Sequence, residues 1–228
     1  MTRSTIAITG ASGLLGKAVA GHFKSLGCYE VLEFSRTTGH DLADEQVVKT
    51  IFQEYAPEYL INLFAANDPV DSDGARGTLF DISLESFRSY MEVNVTALFS
   101  VCREFARNNQ ARSIVNFSSI YGVVSPLPTL YGGKEKHIGY STSKGAVIQL
   151  SRHLAVHLAP RVRVNTIVLG GVEDGQEELF VNQYSGYTPL KRMMQKDELN
   201  RLLELLCSDG TSYMTGSTIT VDGGWTAW

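Results

Sequence analysis

At 228 residues, with 24 acidic against 20 basic side chains and a net charge of -4, the chain has room for one sizeable core and lacks the basic footprint of a nucleic-acid binder. No apolar run is long enough to span a bilayer, and the first strand starts too near Met1 for a signal peptide, so one cytoplasmic domain over 1–228 is expected, with neither membrane nor nucleic acid as partner. Cys28, Cys102 and Cys207 are odd in number and sit in apolar or helical stretches, which predicts buried, reduced thiols rather than disulfides or a metal site.

In chain order, strand-like apolar runs alternate with helix-like periodic segments. Thr5–Thr9 reads as a strand, Leu14–Leu26 as a helix closed by Gly27, and Tyr29–Phe34 as the second strand. Asp44–Tyr55 is helical until Pro57 stops it, and Leu60–Phe64 is a buried third strand. Ser83 can cap a long helix whose apolar stripe runs through Leu84, Phe87, Met91, Val95, Leu98, Cys102 and Phe105, with Asn94 inside it. A strand at 113–117, a helix at 140–158, a strand at 163–168, a helix at 197–207 and a strand at 217–221 complete the series. Such alternation implies an α/β, Rossmann-like, doubly wound parallel sheet in a single three-layer αβα domain. Three stretches break the rhythm, at 65–81, 122–139 and 170–194. They follow strand ends, where open α/β sheets bind ligands, and are expected to be loops that build the substrate pocket.

Thr9-Gly-Ala-Ser-Gly-Leu-Leu-Gly16 lies between the first strand and the first helix. Glycines at 10, 13 and 16 let the backbone turn tightly, while Ser12, Leu14 and Leu15 stand where free N–H groups and a positive dipole end meet a pyrophosphate. About 20 residues on, the end of the second strand reads the adenosine ribose in such folds. Ser35 and Arg36 offer a hydroxyl and a guanidinium to a 2′-phosphate, so NADP is favoured, while Glu33 keeps NAD open. Asp41 and Leu42 are candidates for the adenine edge, with Asp41 alternatively serving the cap of the next helix.

Tyr140 and Lys144 are four apart and share a helix face. A phenol of ordinary pKa, about 10, is a weak base at neutral pH, and a nearby cation favours the phenolate. Ser118-Ser119 closes the preceding apolar strand and supplies a hydroxyl for a carbonyl; Asn94 supplies an amide able to order water.

With these motifs in this order, nearly the whole chain resembles the short-chain dehydrogenase/reductase family. Asn94-Val-Thr, Val115-Asn-Phe-Ser-Ser119, Arg163-Val-Asn165 with Gly170-Gly-Val172, and Thr215 to Gly224 resemble its helix-four asparagine, serine strand, nicotinamide loop and closing strand. The resemblance implies that Tyr140 transfers the proton, Lys144 holds the ribose and lowers the phenol's pKa, Ser119 holds the carbonyl and Asn94 orders a water. It also implies cofactor contacts at Ala65, Ala66, Tyr140, Lys144, Gly170 and Val172, no metal, and a small-molecule substrate. A homodimer or homotetramer pairing through 84–107 and 140–158 is expected, with Trp225 and Trp228 at another interface.

Departures from the family pattern are specific. The glycine spacing is that of the extended, sugar-nucleotide branch, Leu169 replaces a usual proline, and the step from Arg36 to Asp41 is short, as if a helix and much of a strand were missing. The insertion Pro126–His137 carries Tyr131, Lys134, Lys136 and His137, either a solvated loop or a device for acidic or phosphorylated substrates. The segments Gly171–Glu178 and Asp222–Trp228 resemble a subgroup linked to bacterial surface-polysaccharide biosynthesis. The expected activity is NAD(P)-dependent interconversion of a carbonyl and an alcohol on a small polar substrate such as a sugar or nucleotide sugar. An NAD-retaining sugar-nucleotide epimerase or dehydratase and a non-catalytic dinucleotide-sensing module are the alternatives.

Overall fold

The structure, a computed structural model, describes residues 3–68, 79–131 and 136–228; Lys134 and most of the 65–81 stretch lie outside the described residues. Six strands, β1 Ser4–Thr9, β2 Tyr29–Phe34, β3 Tyr59–Asn62, β4 Ser113–Ser119, β5 Arg163–Leu169 and β6 Thr218–Val221, form one sheet in the order β2-β1-β3-β4-β5-β6. Every pairing is parallel. The chain steps outward from β1 to β2 and then crosses back to β3, so the winding direction reverses between β1 and β3, where the carboxyl ends open a crevice. Among the described residues no further strand lies beyond β2: a short 3-10 turn at Arg36–Thr38 leads towards the next helix, in keeping with the short step from Arg36 to Asp41.

Helices cover both faces. Alternating strand residues decide which: Ile6 and Ile8 pack with Val19 and Phe23 of α1 (Leu14–Ser25) and Leu203 and Leu206 of α7 (Asn200–Leu206). Ala7 and Leu60 face the other way, against Val48 and Ile51 of α2 (Glu45–Glu54), Val101 and Phe105 of α4 (Leu98–Arg107) and Val147 and Leu154 of α5 (Ile138–Leu158). Every residue of β3 and β4 is buried, as expected of central strands covered on both sides. Ser83 caps α3 (Leu84–Met91) through the Ser86 N–H, and α3 continues into α4 through a π-helical turn at Glu92–Ala97 that contains Asn94.

A polar seam crosses the sheet. Thr9 Oγ1 donates to Asn62 Oδ1 at 2.9 Å, Asn62 Nδ2 to Asn116 Oδ1 at 2.8 Å, and Asn116 Nδ2 to Ser151 Oγ of α5 at 2.9 Å. Thr9 pairs with Asn62 and Asn62 with Asn116 in the strand register, so the seam runs along one rung.

Four expectations are corrected. The 170–194 stretch is not all loop, since α6 spans Glu178–Tyr187; its inner face is aromatic rather than aliphatic. β3 ends at Asn62, because the following backbone leaves the sheet to pass against Gly10. Cys28 is exposed, in the turn between α1 and β2, whereas Cys102 and Cys207 are buried. Trp225 packs inside this chain, stacked on Tyr184 at 4.5 Å, and only Trp228 is left exposed. Among the described residues no helix is long and apolar enough to cross a membrane, and no cluster of metal-ligating side chains occurs.

Candidate active site

The glycine loop is shaped by packing. Gly10 has φ +67, and a Cβ there would lie 2.5 Å from the Phe64 nitrogen; a Cβ on Gly16 would strike the Gly10 carbonyl. Gly13 is different, with only the Gly10 oxygen near, at 3.3 Å. It stands at the start of α1, where no side chain caps the helix and the first turn carries no acid. The unpaired N–H groups of that turn, next to a residue with no side chain, are suited to a dinucleotide's diphosphate. Gly10, Gly13, Leu14, Leu15 and Gly16 line a cavity of about 610 Å³ on the carboxyl edge of the sheet, and Ser12 lies just outside its lining.

The ribose-reading end is looser. Ser35 is buried and caps the 3-10 turn: its N–H donates to Thr38 Oγ1 at 3.0 Å, and its hydroxyl meets Thr37 Oγ1 at 3.0 Å. Arg36 is exposed and has no ion pair among the described residues. Glu33 is paired with Lys24 of α1. Asp41 accepts the Ala43 N–H at 3.1 Å, while Asp44, not Asp41, caps α2. Leu42 is a core residue between Phe34 and Val48, so its side chain is held inward. None of Ser35, Arg36, Asp41 and Leu42 lines the main cavity.

Ser119, Tyr140 and Lys144 do converge on it. Ser119 ends β4, and its hydroxyl accepts the Tyr121 N–H at 3.2 Å. Ser118 is committed elsewhere, donating to the Lys144 carbonyl at 2.7 Å and so clamping β4 to α5. The Lys144 ammonium donates to the Phe117 carbonyl at 3.0 Å and lies 5.8 Å from the Tyr140 ring centre. Burial draws its pKa down to about 8. Tyr140 moves upward: burial dominates, a hydrogen bond with Ser119 opposes it, and the Tyr131 phenol adds to the rise. The net effect keeps Tyr140 a protonated phenol, against the expected lowering by Lys144.

Asn94 stands behind this group. Its Oδ1 accepts the Ala66 N–H at 2.7 Å, and its Nδ2 donates to the Ala66 carbonyl at 3.1 Å and to Ser143 Oγ at 2.9 Å. Both amide hydrogens are thus taken by protein, and the side chain ties the segment after β3 to α5. Ala65 lines the cavity and Ala66 is held behind it.

The far wall comes from the segments after β4 and β5. Gly170 and Val172 line the cavity, and the loop is tied back where Glu173 N–H meets Met194 O at 2.9 Å. Tyr131 and Lys136 of the insertion reach the cavity with Gln176, Phe180 and Tyr184. Tyr121, Asn67, Gly171 and Met193 also line it and were not anticipated individually. Tyr121 lies two residues past Ser119, and its hydroxyl bonds that of Tyr131 at 2.7 Å. A usable signal existed in Phe180, Tyr184 and Tyr187, whose spacing is that of one helix face.

Comparison with known proteins agrees with this geometry. A family model described as Enoyl-(Acyl carrier protein) reductase matches residues 10–226. The 3-oxoacyl-[acyl-carrier-protein] reductase of Aquifex aeolicus is 31% identical over 232 residues, covering 97% of this chain and 87% of that protein. Glucose 1-dehydrogenase of Gluconobacter oxydans is 34% identical over 157 residues, 64% of this chain, and the match spans only 56% of that relative's length. The structure of a short-chain dehydrogenase from Leptospira borgpetersenii with bound NAD+ superposes with a TM-score of 0.83 at 26% identity, covering 99% of this chain and 94% of that one. The chain therefore belongs to the short-chain dehydrogenase/reductase family of NAD(P)-dependent oxidoreductases.

Proposed function

We propose that the protein interconverts a carbonyl and an alcohol on a small polar substrate, a sugar or nucleotide sugar, with NADP as the preferred dinucleotide. The observation that carries this reading is the convergence of Ser119, Tyr140 and Lys144 on the same cavity as the uncapped glycine loop. The dinucleotide, when bound, supplies or accepts the hydride. In reduction Tyr140 donates its phenolic proton to the substrate oxygen, and in oxidation it takes that proton back. Ser119 hydrogen-bonds the same oxygen and orients it. The Lys144 ammonium holds the ribose and stabilises the phenolate left after proton donation. Burial keeps the phenol protonated, which readies Tyr140 for the reductive direction. Asn94 positions α5 through Ser143.

Arg36, exposed and without an ion pair among the described residues, and Glu33, already held by Lys24, together favour a 2′-phosphate over a free 2′-hydroxyl. The resemblance of Gly171–Glu178 and Asp222–Trp228 to a surface-polysaccharide subgroup supports a substrate in that chemistry. Phe99 on α4 is 41% exposed and Val156 on α5 77%, which supports burial in a homodimer or homotetramer through these helices. Light scattering of purified protein tests the assembly; a monomer at micromolar concentration removes it.

Titration with NADPH and NADH, followed by an absorbance screen of carbonyl and sugar substrates, tests the activity. Binding in the micromolar range with turnover is the expected result, and absence of binding by either dinucleotide defeats the reading. NAD that stays bound through purification and turnover would favour the epimerase or dehydratase.

A further inference from the structure

The cavity holds a second lysine that the acid/base chemistry does not use. Lys136 comes just before His137, whose Nδ1 accepts the Gly139 N–H at 3.0 Å to cap α5, whose Nε2 meets Ser86 Oγ at 2.8 Å, and whose ring stacks on Tyr90 at 4.5 Å. Lys136 therefore stands beside a braced helix start. Its ammonium sits 5.0 Å from the Tyr140 ring centre, closer than Lys144 at 5.8 Å.

Among the described residues the charge on Lys136 is incompletely matched. One proton goes to the Asp68 carbonyl at 2.6 Å. The Asp68 carboxylate accepts the Tyr90 hydroxyl at 2.8 Å and makes no ion pair with Lys136. Burial lowers the Lys136 pKa to about 8, partly offset by the Asp68 charge, as expected of an ammonium largely removed from water with no contacting counter-ion among the described residues. The same cavity is lined by neutral groups, among them the Tyr121 and Tyr131 hydroxyls, Phe180, and Gln176, whose amide is engaged by Val172 O and Asp174 N. Asp174, the one carboxylate among the described lining residues, also lines a depression with Leu14, Lys17 and Lys196, beside the glycine loop.

We infer that Lys136 binds an anionic group carried by the substrate within a few bonds of the reacting carbon, so that the enzyme selects sugar acids or sugar phosphates over neutral sugars. This inference rests on the reading of the cavity as the reaction site. An anion there would take the two remaining ammonium protons in charge-assisted bonds and hold the reacting carbon over the phenol. The Tyr121 and Tyr131 hydroxyls are placed to meet the hydroxyls of the same molecule.

Calorimetric titration of the full-length protein with gluconate, glucose 6-phosphate and glucose, with and without NADPH, tests it and separates carboxylate from phosphate. At least one anionic probe should bind about tenfold or more tightly than glucose, and K136Q should lower that affinity about 10- to 100-fold. K136R should keep most of it, and its folded state is checked by thermal melting. The inference is overturned by equal affinities, or none, for anionic and neutral probes in the natural protein, by an unchanged anion affinity in K136Q, or by a folded K136R that fails like K136Q. The first comparison stands even if K136Q does not fold. NADPH affinity is read in the same titrations: its absence defeats the oxidoreductase reading, while the anion preference is scored separately.

Discussion

The cavity around Tyr140 and the turn that carries Arg36, outside its lining, differ in how they are held. Around Tyr140, Lys144, Ser143 and Asn94 are buried and cross-braced between β4, α5 and the segment after β3, with their polar atoms bound to protein. Arg36, by contrast, is exposed on a single short turn that Ser35 caps with Thr38. On the proposed reading, the reacting groups are preorganised by packing, whereas dinucleotide choice rests on a few surface charges. Chemistry should therefore be hard to alter without loss, and cofactor preference easy.

The sharpest break of this contrast is Y140F. Turnover should fall about 10³-fold while NADPH affinity stays near that of the natural protein, and measurable turnover within about tenfold would remove Tyr140 from the mechanism. Because burial raises the Tyr140 pKa, the phenol persists through neutral pH. Reduction should thus be nearly flat between pH 6 and about 8, while oxidation, which needs the phenolate, should climb with pH by up to about tenfold per unit. Rate profiles in both directions check this; an oxidation rate independent of pH contradicts the sign.

Next come the glycines. G16A should cost about 2–4 kcal/mol in denaturant unfolding, because the methyl group meets backbone that cannot yield. G13A should change stability by only about 0.5 kcal/mol but weaken NADPH about tenfold, since its free space is there for the ligand. Equal stability losses would blur the distinction between a packing glycine and a binding one. N94A should destabilise by about 2–3 kcal/mol through loss of buried hydrogen bonds to Ala66 and Ser143. The smallest effect is expected for R36A, about tenfold weaker NADPH with NADH nearly unaffected, measured by fluorescence titration. A parallel loss for both dinucleotides would detach Arg36 from the 2′-phosphate.

How much was legible in the sequence follows the same contrast. The strands and the glycine loop announce themselves because each buried rung needs an apolar residue and Gly10 needs a positive φ that few other residues tolerate. Lys144 and Tyr140 were readable from one spacing plus order along the chain. The helix Glu178–Tyr187 was readable only in the spacing of its aromatics, since it buries little besides Tyr184 and leaves Leu179 67% exposed, so its aliphatic stripe is faint. Its contacts are aromatic and distant in sequence, Phe180 to Tyr131 and Tyr184 to Trp225. The bracing partners of Asn94 were not legible for a related reason: Ala66 and Ser143 lie 28 and 49 residues away, and nothing local signals them. Cys28 looked apolar by neighbourhood but sits in a surface turn.

The seam of Thr9, Asn62, Asn116 and Ser151 bears on how the sheet assembles. Parallel strands rich in similar aliphatic residues can pair in more than one alignment, and a slip by one residue turns every side chain to the opposite face. Here such a slip would strand the amides of Asn62 and Asn116 among hydrocarbon with no partner, at about 1–3 kcal/mol for each lost bond. The seam therefore acts as a proofreading mark: three strands and α5 can be joined in only one alignment without penalty. That alignment is the one that brings Ser119 and Tyr140 to the same cavity.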